Sequence, residues 1–294
     1  MVRIGFHISI SGGFVEAAKR ARNLGCRTMQ IFTRNPRGWA LPRTVDPTEA
    51  ATLRSVLVRY DIDPLVVHMP YLPNFSSPDE TLYERSVKAL TDELERAGRL
   101  GASYLILHVG HRGKSSEEEA FSRVAAAINR ACSVVSGPTT VLLENTAGQG
   151  TEVGSRFMHL AMIIGMVADQ DRIGVCLDTA HAWGAGYDLA TAAGIADTMA
   201  EFNEFLGWDR LRLIHLNDSK AARGARVDRH DHIGRGFIGR DGFRLLLHHP
   251  RLSPLPFIME TPKKSERDDP ENMKTVKGLL AENYNSSKKL RTKQ

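Results

Sequence analysis

Short apolar runs alternate with longer amphipathic segments along most of the chain. The apolar runs have the length of buried strands, and the segments between them show the spacing of apolar residues that is typical of helices. Strands are predicted at residues 4–8, 28–32, 65–68, 104–108, 140–144, 173–178, 211–215 and 257–260. Helices are predicted near residues 14–24, 47–60, 79–100, 117–136, 156–166, 190–206, 240–248 and 270–284. Eight such units predict an α/β fold with one parallel sheet closed into a (β/α)8 TIM barrel.

Glycines separate three of the predicted helices from the strands that follow them. Gly25, Gly101 and Gly207 each stand three to four residues before a strand, where glycine accepts the left-handed conformation that ends a helix. The chain has no internal repeat and no break in composition, so a single catalytic domain is predicted at residues 1–284. Residues 285–294 are polar and basic and are predicted to form a disordered tail.

Most of the apolar runs end in a histidine or a carboxylate. The C-terminal ends of the strands form the face on which barrel enzymes carry their active sites. The residues at these ends, on strands three to eight, are His68, His108, Glu144, Asp178, His215 and Glu260. Three further candidates, His181, Asp228 and His230, follow in the predicted loops.

Together these residues offer imidazole and carboxylate donors but no thiolate. Nitrogen and oxygen donors without sulfur suit zinc, manganese or iron ions at a hydrolytic site. Carboxylates that meet at one barrel mouth would repel one another unless cations were present. A cluster of two or three ions with a bridging carboxylate is therefore predicted at the C-terminal face, and such a cluster suits phosphate chemistry.

Composition places the chain among ordinary globular proteins. Of its 294 residues, 42% are hydrophobic and 25% are charged, and the formal net charge is +5. No apolar stretch is long enough to cross a membrane, and the N-terminal segment has the pattern of a strand and not of a signal peptide. The three cysteines, Cys26, Cys132 and Cys176, lack a CxxC spacing. They fit a reducing compartment, so a cytoplasmic location is predicted.

Basic residues are concentrated in the segments that follow the predicted strands. They are Arg34, Arg37, Arg43, Arg112, Lys114, Lys220, Arg223, Arg226, Arg229, Arg235, Arg240, Lys263 and Lys264. A basic rim around a metal site suggests a polyanionic substrate, although loop charges can also serve solubility alone.

One glycine-rich segment has the form of a nucleotide-binding motif. Gly234 to Gly239 match the pattern GxGxxG, but they follow a polar loop and not a strand. No dinucleotide site is therefore expected. A tight turn that brings backbone close to substrate or metal is predicted instead.

Several longer motifs follow one another along the chain. They are Gly5-Phe-His-Ile-Ser, Ile31-Phe-Thr-Arg-Asn-Pro-Arg, His68-Met-Pro-Tyr-Leu, Glu144-Asn-Thr-Ala-Gly-Gln-Gly, Gly174-Val-Cys-Leu-Asp-Thr-Ala-His, His215-Leu-Asn-Asp-Ser-Lys, Asp228-Arg-His and Glu260-Thr. The fourth, fifth and seventh of these, in this order, are highly specific together. With them the chain resembles the endonuclease IV family of barrel-type apurinic/apyrimidinic (AP) endonucleases, from about Gly5 to about Pro262.

The resemblance implies three zinc ions, with manganese or iron as alternatives at one or more positions. His68, His108 and Glu144 would hold the first ion. Glu144 would bridge to a second ion, which Asp178, His215 and Glu260 would also hold. His181, Asp228 and His230 would hold the third ion. Glu144 and Glu260 are also predicted as the catalytic carboxylates.

The resemblance further implies a damaged double-stranded DNA partner. Arg37 and Tyr71 match the arginine and tyrosine that the family inserts at the lesion, and Arg229 and Lys220 are predicted as further DNA contacts. The chain departs from the family pattern at Pro70, His111, Arg112, Arg235 and Phe237. These departures leave the ligand set unchanged and bear on lesion preference and DNA affinity.

The implied reaction is hydrolysis of the phosphodiester on the 5′ side of an abasic nucleotide. It would leave a 3′-hydroxyl and a 5′-deoxyribose phosphate, with a metal-activated hydroxide as nucleophile. A 3′-end-cleaning activity is a further expectation. The chain is expected to act as a monomer, without a nucleotide cofactor and without a membrane partner.

Two other functions fit parts of the pattern. A sugar isomerase or epimerase would use the second ligand group alone, with one or two ions, but the additional donors and the basic rim argue against it. A degenerate barrel would bind DNA without cutting it, but the complete set of ligands argues against that alternative.

Overall fold

Eight parallel strands form a closed barrel in the computed structural model, which describes residues 2–40 and 44–282. The strands are β1 (Ile4–His7), β2 (Thr28–Ile31), β3 (Leu65–His68), β4 (Tyr104–His108), β5 (Thr140–Glu144), β6 (Ile173–Asp178), β7 (Leu211–His215), β8 (Asp218–Ser219), β9 (His230–Asp231) and β10 (Phe257–Met259). The order around the barrel is β1-β10-β7-β6-β5-β4-β3-β2, while β8 and β9 form a separate antiparallel hairpin. The predicted TIM barrel is confirmed. The predicted tail lies outside the described residues.

Helices follow the strands at the predicted places. They are α1 (Phe14–Asn23), α2 (Pro47–Tyr60), α3 (Glu80–Leu100), α4 (Glu117–Val134), α5 (Phe157–Gly165), α6 (Thr179–Ala185), α7 (Ala192–Phe205), α8 (Gly239–His248) and α9 (Asp268–Ala281). Helix α6 was not predicted, because it begins directly after β6 without a loop. Between residues 2 and 282, leaving aside 41–43, no helix combines the length and apolarity of a membrane span.

Polar side chains fix where several helices begin and end. The Asp79 carboxylate accepts from the Leu82 backbone N at 2.8 Å at the start of α3, and Ser116 and Glu119 form a reciprocal capping box at the start of α4. Each such cap contributes about 1 kcal/mol. Gly101 ends α3 with a left-handed φ of 79°, as its position before β4 predicted.

Alternation along the strands decides which side chains face the barrel interior. An apolar layer inside the barrel consists of Val66, Ile106, Leu142, Cys176, Leu213 and Ile258, all fully buried. Side chains two positions apart on a strand point the same way, and two positions after each of these residues stands a predicted ligand. The layer therefore forms the floor of the predicted site. Burial within it raises the pKa of the Cys176 thiol to about 12.

One irregularity lies between β6 and β7. Val175 is level with Leu211, but Cys176 is level with Leu213, so β7 contains one extra residue at this point. Beyond the shift, Asp178 is level with His215.

A Val66→Ala variant tests the contribution of the interior layer. We expect it to lower the free energy of unfolding by about 2 kcal/mol, because two methyl groups are lost and a cavity remains. Val58→Ala is a matched control, since Val58 is 82% exposed on α2 and should change stability by no more than about 0.5 kcal/mol. Urea unfolding measures both. Equal losses in the two variants would contradict the prediction.

Candidate metal centre

The predicted ligands converge at the C-terminal mouth of the barrel. Three groups of donor atoms each lie within 4.8 Å of one another. They are His68, His108 and Glu144; then Glu144, Asp178, His215 and Glu260; then Asp178, His181 and His230. Glu144 belongs to the first two groups and Asp178 to the last two, so the three groups are contiguous.

Glu144 lies at the centre of this arrangement and is fully buried. Its Oε2 atom is 3.1 Å from His108 Nε2 and 3.2 Å from His68 Nε2. Its Oε1 atom is 2.9 Å from His215 Nδ1 and 3.3 Å from His181 Nδ1. The two oxygens of one carboxylate therefore face different sets of imidazoles, which is the orientation that a bridging ligand requires.

The third group differs from the expected one in one member. Asp178 joins His181 and His230 there, whereas Asp228 was the carboxylate expected. The Asp228 oxygens lie 3.3 Å from His181 Nε2 and 3.2 Å from His230 Nε2, so Asp228 also lies within reach of an ion held by these two imidazoles. The Asp228 side chain is 45% exposed, because it comes from the long segment between β8 and β9.

Charge in the centre is strongly coupled. Burial opposes ionisation of Glu144 and Glu260, but the neighbouring imidazoles, with His215 acting on both, outweigh it and hold their pKa values well below the usual range. Burial also opposes charge on His181 and His215. Neighbouring groups outweigh it and raise both pKa values well above the usual range. These are the Asp178 carboxylate for His181, and the hydrogen-bonding Cys176 sulfur and the Glu260 carboxylate for His215.

The donor set fits divalent cations. In the absence of metal, the buried carboxylates and imidazoles share protons between carboxylate oxygens and ring nitrogens. The same oxygens and nitrogens can bind a metal ion once those protons are released. His230 Nε2 is buried and makes no aligned hydrogen bond with the described residues, although Asp228 Oδ1 is 3.2 Å away. His68 Nδ1 lies 2.7 Å from the Met69 carbonyl oxygen, which directs Nε2 of the same ring towards the centre.

His7 and Gln30 complete the mouth, and sequence reasoning missed both. Gln30 Nε2 donates to Glu260 Oε1 at 2.6 Å, and Gln30 Oε1 is 2.8 Å from His215 Nε2. His7 Nδ1 is 3.3 Å from Glu260 Oε1. The predicted strands ended at residues 8 and 32, so neither His7 nor Gln30 stood at a predicted strand end, and neither was considered as a site residue. The signal was available, because His7 ends β1 and is level with Gln30 of β2.

Two asparagines brace the carboxylates from behind. Asn217 Nδ2 donates to Asp178 Oδ2 at 2.6 Å, while Asn217 Oδ1 accepts from the Glu260 backbone N at 2.7 Å. Asn145 Oδ1 accepts from the Asp178 backbone N at 2.7 Å. Both asparagines are buried, so the ligands are held before any ion binds.

The mouth opens into a cavity of about 750 Å³. Tyr71 lines it and is 64% exposed. The Tyr71 ring packs edge-on against Phe32 with centroids 5.3 Å apart, and its backbone N donates to the Pro36 carbonyl oxygen at 3.1 Å. The loops that carry Arg37 and Tyr71 are thus joined beside the cavity, and Arg37 is exposed.

The basic rim is weaker than the sequence suggested. Arg34 lines the cavity but is buried, and its Nε lies 2.7 Å from Glu93 Oε1, so its charge is already paired. Four other cations pair with acidic side chains, namely Arg223, Arg235, Arg240 and Lys263. Arg37, Lys220 and Arg229 are exposed and form no ion pair within the described part of the chain. Arg43 lies outside the described residues.

The glycine-rich segment forms a tight turn around the buried carboxylate of Asp218. Five backbone N–H groups donate to the buried Asp218 carboxylate at 2.8–3.3 Å. They belong to Ser219, Gly234, Gly236, Ile238 and Gly239. Burial raises the pKa of Asp218, and these donors oppose the rise. A Cβ at Gly236 would stand 2.3 Å from the Ser219 carbonyl oxygen, so only glycine fits there.

Comparison with known proteins relates this fold and site to others. The family described as "Xylose isomerase-like TIM barrel" matches residues 18–282. A protein of Methanoculleus marisnigri named "Probable endonuclease 4" is 45% identical over 280 residues, covering 95% of this chain and 99% of that protein. The crystal structure of endonuclease IV from Thermus thermophilus superposes with a TM-score of 0.85 at 36% identity, covering 96% and 100%. A D-tagatose 3-epimerase-like protein (TM-score 0.69, 19% identity, covering 94% and 97%) shares the fold alone.

Proposed function

Because this chain belongs to the endonuclease IV family, within the xylose isomerase-like TIM barrels, we propose that it hydrolyses the phosphodiester on the 5′ side of abasic nucleotides in DNA. The products would be a 3′-hydroxyl and a 5′-deoxyribose phosphate, and 3′-end cleaning is a second activity of the same site. The enzyme is a metal-dependent hydrolase. The observation that carries the proposal is the contiguity of the three donor groups through Glu144 and Asp178.

The three groups would hold three zinc ions, or manganese or iron at one or more positions. Such ions, when bound, lower the pKa of water and stabilise charge on the transferring phosphate. The first and second groups correspond to the expected ligand sets, with Glu144 shared between them. Asp178 would serve the third ion as well as the second, with Asp228 closing that site from the rim.

The remaining polar residues keep Glu260 in one orientation. Gln30 and His7 contact its Oε1 atom, which leaves Oε2 on the side of His215 at 3.3 Å. Asn217 links the Glu260 backbone to the Asp178 carboxylate. Pre-organised ligands of this kind avoid the cost of reorganisation during the reaction. Glu144 and Glu260 are therefore the carboxylates that we assign to catalysis.

The rim supports an abasic substrate in double-stranded DNA. Arg37 and Tyr71 stand on joined loops beside the cavity, where they would fill the gap left by a missing base. A nucleotide without a base has already lost its pairing and stacking, so it is cheap to extrude. Lys220 and Arg229 are exposed and form no ion pair among the described residues, and they would bind phosphates. We also propose that the protein acts as a cytoplasmic monomer.

An incision assay tests this function. We expect a duplex with one tetrahydrofuran abasic analogue to be cut on its 5′ side, and a chelator to stop the reaction. The same duplex without the lesion is the control. Elemental analysis of the same sample should give about three metal ions per chain. Absence of a chelator-sensitive cut at the analogue would defeat the proposal, and one or two ions with epimerisation of a sugar would favour the rival function.

A further inference from the structure

Phe237 is an exposed aromatic residue at the rim of the barrel mouth. It is 58% exposed and makes no aromatic or cation–π contact with the described residues. A single exposed apolar side chain is common on proteins. The way in which this one is mounted, and its place around the barrel, distinguish it from a chance surface residue.

The loop that carries Phe237 is held rigidly. The Asp218 carboxylate accepts backbone N–H groups on both sides of it, at Gly236 and at Ile238. The Phe237 backbone N donates to the Ser219 carbonyl oxygen at 2.9 Å. These bonds fix the backbone while the ring stays outside the core. A side chain presented by a rigid backbone loses less entropy when it binds.

The position of this loop complements that of Tyr71. Around the closed barrel, β7 is the fourth strand from β3 in either direction, so the loops after these two strands face each other across the mouth. Tyr71 follows β3, and Phe237 belongs to the segment after β7. The metal centre lies between them. A duplex placed with its lesion over the centre would therefore reach both sides.

The residues next to Phe237 favour nucleic acid as its partner. Ser219, which binds the Phe237 backbone, precedes Lys220, whose backbone N donates to the Arg229 carbonyl oxygen at 2.9 Å. Lys220 and Arg229 are two of the exposed cations without an ion pair in the described ranges. An aromatic ring beside free cations is the combination with which proteins bind nucleic acids, through stacking and phosphate contacts.

We propose that Phe237 packs against a base or sugar of the duplex, on the side of the lesion opposite to Tyr71. The inference rests on the proposed function of the mouth. It adds a contact that stabilises the bent or opened duplex and selects for DNA that can be deformed at the lesion. The contact is apolar, so it does not change the number of phosphates that are neutralised.

A Phe237→Ala variant tests this contact. We expect KM for incision of the abasic duplex to rise about tenfold, as the loss of one stacking contact predicts, with kcat unchanged. The slope of log KM against log salt should stay at its wild-type value, whereas Lys220→Ala should reduce it by about 1. With 2-aminopurine beside the lesion, the fluorescence change on binding should be smaller for Phe237→Ala than for wild-type protein, because Arg37 and Tyr71 still act on the lesion.

Phe205→Ala is the matched control. Phe205 is 41% exposed at the end of α7, at the opposite end of the barrel because helix and strand run antiparallel. It should behave as wild type. If wild-type protein cuts the analogue but Phe237→Ala matches Phe205→Ala in KM and in fluorescence, the inference is wrong and the proposed function stands; a protein partner would then be the remaining role for Phe237. If wild-type protein does not cut, the proposed function itself fails.

Discussion

A Glu144→Gln variant is expected to lose at least about 10³-fold in kcat/KM for incision of abasic DNA, which corresponds to ~4 kcal/mol of transition-state stabilisation. Glu144 is fully buried, and its two oxygens face two different donor groups. The amide removes the charge that both groups share and offers only one acceptor oxygen. Metal content and incision should therefore fall together, as elemental analysis and steady-state kinetics on the same sample will show.

Glu201→Gln is the control for this substitution. Glu201 is a partly buried glutamate on α7 that accepts a hydrogen bond from the Tyr187 hydroxyl at 2.7 Å, and it lies outside the centre. This variant should keep wild-type activity and metal content. A Glu144→Gln protein that is folded by circular dichroism, fully active and fully loaded with metal would refute the bridging role.

Removal of the metal is expected to abolish incision and to destabilise the protein more as the pH rises. Without metal, the neighbouring groups raise the pKa values of buried His181 and His215 well above 6.5. Both imidazoles therefore bind a proton more tightly in the folded protein than in the unfolded chain. The stability from these raised pKa values is fully present below about pH 6.5. It is lost as the pH rises through the folded-state values. The affinity for metal instead increases as the pH rises, because an imidazole binds a metal ion only after it has lost its proton.

The melting temperatures of zinc-loaded and chelator-treated protein should therefore diverge between about pH 6 and about pH 9. The carboxylates set the acid limit, because Glu144 and Glu260 have lowered pKa values and their contribution is lost as the pH falls below about 4.5. Thermal melts at several pH values measure the gap, and readdition of zinc should restore both stability and incision. A gap that stays constant or narrows with pH would contradict this account, as would full incision after verified metal removal.

The barrel and most of the centre follow from local sequence. An apolar run that ends in a ligand residue type identifies both the strand and its open end, as in the run that ends at His108. The sequence failed to predict His7 and α6, where the end of the apolar run does not coincide clearly with the end of the strand. His7 was hidden because Ile8 extends the apolar pattern past it, and α6 was hidden because Asp178 is at once a strand end, a ligand and a helix cap.

Long-range pairing was beyond the reach of sequence. Arg34 looks like any other loop cation, and only the packing of α3 shows that Glu93 neutralises it. The same holds for Asp218, which reads as one more acidic residue near the site. Its partners lie 16 or more positions along the chain, with the exception of Ser219. Charge counted along a sequence therefore overstates the charge that a substrate meets.

The extra residue of β7 has a consequence for how this enzyme can vary. In two parallel strands, paired residues point to the same face of the sheet only while the register between the strands is regular. Here the register becomes regular again from Cys176 and Leu213 onwards, just below the mouth. Arg212 is the extra residue, so its deletion would leave Leu213 directly after Leu211 and keep Asp178 level with His215. One residue added between Leu213 and His215 would instead move His215 out of this level and turn it towards the helices. The tolerance of this barrel to insertions should thus be lowest in a stretch of a few residues that never touches the substrate.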